Sequence, residues 1–97
     1  MHEHGLAKEL WPQLQHIAQQ KGMTRVRRLE MTVGLLHGVS ADFLAHSFEH
    51  AFEGSLFEGA EVKITIVEPG EEFFLRDDQS TTANGWEILV TAIEGDS

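Results

Sequence analysis

Ninety-seven residues, 41% of them hydrophobic and 24% charged, make one small domain with a single modest core. Seven basic residues against sixteen acidic ones give a net charge of -9, so phosphate-neutralising Lys and Arg are scarce, and neither a nucleic-acid partner nor an anionic membrane surface is expected. With no cysteine there is no disulfide, thiolate zinc site, iron–sulfur cluster or Cys nucleophile.

In chain order, residues 6–20 are predicted to form an amphipathic helix. Leu6, Leu10, Leu14, Ile17 and Ala18 recur at spacings of three and four. Pro12 conflicts with that pattern, because it removes a hydrogen bond and crowds the carbonyl four residues back, so a kink or a helix in two pieces is expected. Lys21-Gly22 is a stop signal. Residues 24–33 alternate as a strand through Leu29, Met31 and Val33, with Val26 out of phase and a bulge expected near it. Gly34 to Gly38 connects to a second helix over 41–53, N-capped by Ser40. Leu44, Phe48, Ala51 and Phe52 share one face of that helix, while Asp42, His46, Glu49, His50 and Glu53 share the other.

Residues 61–67 alternate as a strand, and Pro69-Gly70 ends it. Residues 71–85 read as a polar loop or loose hairpin with a short strand at Phe73, Phe74 and Leu75. A last strand runs from Trp86 to Ile93, and Gly95-Asp96-Ser97 should fray. The predicted fold is α+β, in the order α-β-α-β-loop-β. Two helices cover one face of a three-stranded mixed sheet, and residues 24–67 form a right-handed parallel crossover. Residues 1–97 are expected to be one domain, with no linker, repeat or membrane span. Met1-His2-Glu3-His4-Gly5 has neither the basic start nor the apolar run of a signal peptide, so the cytoplasm is the expected location.

That N-terminus is also where chemistry is most readily placed. A free α-amine, deprotonated backbone amides and the His2 imidazole can close fused chelate rings around one ion. Four nitrogens in a plane suit Ni(II) or Cu(II). Glu3 adds an acid that could orient or neutralise the site, and His4 adds a second, weaker imidazole. The same residues also read as an unstructured start, and a short motif does not decide between the two. His46 and His50 are one helical turn apart, a spacing that can clip a metal, but beside Glu49 and Glu53 they read better as a solvated face. His16 and His37 read as bystanders and Trp86 as packing. Asp77 and Asp78 are too few for a calcium loop. No phosphate loop, Gly-x-Ser-x-Gly or His-Glu-x-x-His occurs, so no enzyme is indicated.

Several ordered segments resemble the HypA/HybF family of hydrogenase nickel-incorporation proteins. They are Met1-His2-Glu3 ahead of Leu6-Ala7, the strand ending at Gly34, Leu36-His37-Gly38-Val39, Phe48-Glu49, Gly54-Ser55-Leu56-Phe57-Glu58-Gly59-Ala60, and Gly85-Trp86-Glu87-Ile88-Leu89-Val90 running on to Ile93-Glu94. The resemblance implies a nickel metallochaperone. Met1, His2 and Glu3 would form or support a Ni(II) site, and His4 would contribute more weakly. A maturation GTPase and a hydrogenase or urease precursor would be partners, with oligomer formation left open. Such proteins carry two Cys-x-x-Cys pairs in a zinc lobe. Here a short loop at about 70–85 stands in its place without Cys, so no zinc is expected. The alternative is a metal-free interaction or oligomerisation module that kept the fold.

Overall fold

The computed structural model describes residues 3–76 and 79–97. Its first element, helix α1 (Glu3–Gln20), buries Leu6, Leu10, Leu14 and Ala18 of the stripe that the spacing predicts and adds Ala7, while Ile17 is half-buried. Pro12 lies inside α1, which continues through it as one element instead of two. Pro12 and Lys8 are both exposed, so the Lys8 carbonyl left without a donor can be hydrated, while buried Leu10 and Leu14 hold the turns on either side. Gly22, at φ +64°, donates to the Gln19 carbonyl and stops the helix.

Strand β1 (Arg25–Gly34) follows, with Val26, Leu29, Met31 and Val33 fully buried. A single 3-10 turn at Leu35–His37 leads to helix α2 (Ala41–Ala51). Ser40 caps α2 as expected, its hydroxyl accepting from the Phe43 amide. Leu44, Phe48 and Phe52 are inaccessible to solvent. The helix ends two residues earlier than its apolar pattern suggested, because Gly54 adopts φ +77° and a string of turns follows. In those turns Glu58 accepts from the Gly54 amide at 2.7 Å, and Arg25 donates to the Glu58 carbonyl. The Gly-x-x-x-Glu-Gly-Ala run is thus a closed loop that delivers Phe57 and Ala60 to the core. Phe57 stands edge-on to Trp11 at 4.9 Å and packs on Phe52 at 5.0 Å.

Strand β2 (Glu61–Val67) runs parallel to β1, pairing Leu29 with Val62, Met31 with Ile64 and Val33 with Ile66. Strands β3 (Glu72–Arg76) and β4 (Gln79–Thr82) form a separate antiparallel hairpin, so the expected loop at 70–85 is largely paired backbone. Ala83, buried, both accepts from the Gly70 amide and donates to the Glu71 carbonyl, closing the hairpin base. Strand β5 (Ile88–Asp96) returns antiparallel to β1, giving a main sheet ordered β2-β1-β5. Its register shifts at Val26/Arg28 and at Glu30/Met31. The first shift is the bulge that out-of-phase Val26 implied.

The expected fraying of the tail is corrected. Gly95 and Asp96 belong to β5, opposite Val26 and Arg25, and Asp96 pairs with Arg27 at 2.7 Å. Glycine is required at position 95 because the Arg25 carbonyl lies where a Cβ would stand. Both helices contribute to one core with the apolar face of the sheet. On the other face Glu30 meets Arg28 at 3.0 Å and Lys63 at 3.8 Å, while Arg28 also reaches Glu94 at 3.3 Å. These solvated pairs set register more than stability.

Candidate functional site

The chain enters the fold at the N-terminal end of α1. Met1 and His2 lie outside the described residues, so the site begins structurally at Glu3. Glu3 is the first residue of α1, and its carboxylate accepts a 2.8 Å hydrogen bond from the Ser40 amide. The first turns of α1 and α2 therefore meet. Ser40 is the N-cap of α2, and in a capping box its amide would be answered by an acid three residues on. That position is Phe43, so Glu3 supplies the missing carboxylate from another helix. Its charge also suits the positive end of the α2 dipole. Glu3 and His4 share the opening turn of α1. His4 is exposed on that turn.

The end of β1 packs tightly against the segment that leads into β5. The Gly34 amide donates to the Glu87 carbonyl, and the Leu36 amide donates to the Gly85 carbonyl. Glu87 receives the Asn84 amide at 2.7 Å and the Gly85 amide at 3.0 Å, and the Asn84 hydrogen bond above all lowers its pKa. His37, expected to be a bystander, lies edge-on to Trp86 at 5.4 Å, and its Nε2 is 3.0 Å from the Trp86 carbonyl oxygen. Trp86 is 58% exposed, not packed beneath the strand as predicted. Its backbone is held instead by Asn84, whose side chain accepts from the Trp86 amide.

The remaining candidates are scattered. His16 is exposed on α1, and Asp77 and Asp78 lie outside the described residues. His46 and His50 are exposed on α2, where His50 Nδ1 is 3.2 Å from Glu53 Oε1. Among the described residues no group of three or more His, Asp or Glu side chains converges as metal ligands. Nor is any described helix long and apolar enough to cross a membrane. Sequence reasoning missed the Glu3–Ser40 bond, since nothing in either segment names the other. The absence of an acid at Phe43 was its one local sign.

The family model for hydrogenase/urease nickel incorporation, metallochaperone, HypA, matches residues 1–71. The chain belongs to the HypA family. The hydrogenase maturation factor HypA of Streptomyces avermitilis is 41% identical over 71 residues, 72% of this chain and 53% of that protein. The corresponding factor of Moorella thermoacetica is 36% identical over 64 residues, 66% of this chain and 57% of that protein. The chain thus spans about half the length of these curated relatives. The solution structure of the Ni metallochaperone HypA from Helicobacter pylori has the same fold. It superposes with a TM-score of 0.67 at 15% identity, covering 100% of this chain and 99% of that one.

Proposed function

We propose that this HypA-family chain is a nickel-binding accessory protein that works by binding and hand-over, not by catalysis. Its client would be the precursor of a nickel enzyme such as nickel–iron hydrogenase or urease, with a maturation GTPase as partner and the cytoplasm as its place of work. The observation that carries this reading is the match to a nickel-incorporation family over a segment that includes the N-terminal motif. Ni(II) is cargo here. The Met1 amine, deprotonated amides and the His2 imidazole would hold it in a plane of nitrogens. The carboxylate of Glu3 is engaged by Ser40, so Glu3 would support the site by holding the first turn in place. His4, one residue further on, would be an auxiliary imidazole.

Calorimetric titration of untagged protein tests this. One tightly held Ni(II) per chain is expected, lost in His2→Ala and in N-terminally acetylated protein, and not matched by Zn(II). Tight binding that survives His2→Ala at full affinity would sink the assigned site. No Ni(II) binding by the native protein would instead favour a metal-free interaction module, a reading to which exposed Leu36, Phe43 and Trp86 lend an apolar surface.

A further inference from the structure

The polar face of α2 borders an open hollow of about 350 Å³, lined by His46, Glu49, His50, Glu53, Glu58, Gly59 and Ala60. We infer that this hollow is a second, weaker site for a late first-row divalent ion such as Ni(II) or Cu(II), held by the imidazoles of His46 and His50. It is independent of the N-terminal chelate.

Three observations carry it. His46 and His50 are four residues apart on a regular helix, so both imidazoles rise from one side and both line the same hollow. A carboxylate already orients one of them. His50 Nδ1 is 3.2 Å from Glu53 Oε1, and an Nδ1–H donated there leaves the Nε2 lone pair free for a metal. This carboxylate–histidine arrangement is the one that supports metal-bound imidazoles generally, because it fixes the tautomer and raises ligand basicity. Finally, the remaining lining is shaped for a cation. Glu58 gives its carboxylate to the Gly54 amide and Glu53 faces His50, so both add negative charge while being held by other partners. Gly59 and Ala60 add only small groups to the rim.

Because no third ligand converges among the described residues, water would complete the coordination sphere. The site is therefore expected to be labile and to select nitrogen-preferring ions over Mg(II) or Ca(II).

The experiment uses N-terminally acetylated, untagged full chain, so that the chelate at Met1 and His2 cannot contribute. Titration with Ni(II) and Cu(II) should reveal one residual site per chain. Paramagnetic Ni(II) should selectively broaden the imidazole proton resonances of His46 and His50. His46→Gln combined with His50→Gln should abolish the site with unchanged circular dichroism. Glu53→Gln should weaken it about 10-fold, and His16→Gln should leave it intact. No binding by the acetylated protein, or binding unchanged in the double variant, would overturn the inference. An unchanged affinity in Glu53→Gln would overturn the orienting role given to that carboxylate. None of these outcomes depends on whether the N-terminal site exists.

Discussion

Glu3 and Ser40 lie 37 positions apart, yet the Glu3 carboxylate accepts the Ser40 amide at 2.8 Å and completes the cap of the second helix from the first. The first turn of α1 and the start of α2 are thereby one mechanical unit. Removing the acid should be felt at the second helix. Glu3→Ala is expected to lower stability by about 1 kcal/mol, the size of a lost helix cap or a hydrogen bond to a charged group. Urea unfolding gives the magnitude, and hydrogen exchange at Ser40 and Phe43 gives the location. Unchanged protection at both amides would refute the coupling.

Gly34 faces the backbone of Gly85, and a Cβ added at Gly34 would stand 2.0 Å from the Gly85 carbonyl oxygen. Backbone held by the Leu36 amide and by the Glu87 carboxylate has little room to retreat. Gly34→Ala should therefore cost about 3 kcal/mol or more, a large share of a small domain's stability. Gly5→Ala is the control, because nothing lies within 4 Å of that position. A thermal shift in Gly34→Ala no larger than in the control would mean that the two strand ends are not packed so closely in solution.

Glu87 predicts an acid limb of stability. Its folded-state pKa is lowered, chiefly by the Asn84 amide and further by other backbone donors and His37, against burial that acts the other way. A depressed carboxylate contributes stability that is fully present above its ordinary range and lost as pH falls through the lowered folded value. Wild type should thus exceed Glu87→Gln near neutral pH, and the gap should narrow as pH falls from the ordinary glutamate range into the more acid one. Unfolding midpoints measured from pH 7 to strongly acid buffer would show this. A gap that stays constant or widens on acidification would contradict it.

The hairpin that stands at residues 72–82 closes through backbone bonds at Ala83 and aligned pairs such as Phe73 with Thr81. Its order depends on no thiolate, since the chain has none. Extended EDTA treatment should leave the far-ultraviolet dichroism and the melting temperature unchanged. A chelator-induced loss of strand signal would reveal a structural metal.

The aromatic cluster offers a test of the core. Trp11 lies 5.2 Å from Phe52 and 4.9 Å from Phe57 between ring centroids. Phe57→Ala should cost about 3–5 kcal/mol through the cavity it leaves and should shift Trp11 emission to the red. Little change in either would place Phe57 outside the core.

What the sequence determined by itself was local. Apolar residues at helical spacing marked both helices, period-two alternation marked β1 and β2, and Ser40 and Gly22 named their own roles as cap and stop, because these preferences act within a few residues. The N-terminal motif and its ordered companions pointed to the family for the same reason. Tertiary structure decided the rest. Pro12 stays helical because buried neighbours hold both sides of it, and the C-terminal tail is a strand because Arg25 and Arg27 of a distant segment receive it. The polar stretch at 72–82 pairs only when Gly70 and Ala83 are brought together. Glu3 becomes a helix cap, and His37 the neighbour of Trp86, only through contacts spanning dozens of residues. Such contacts leave no periodicity in a sequence. They exist only once the core has positioned the backbone that makes them.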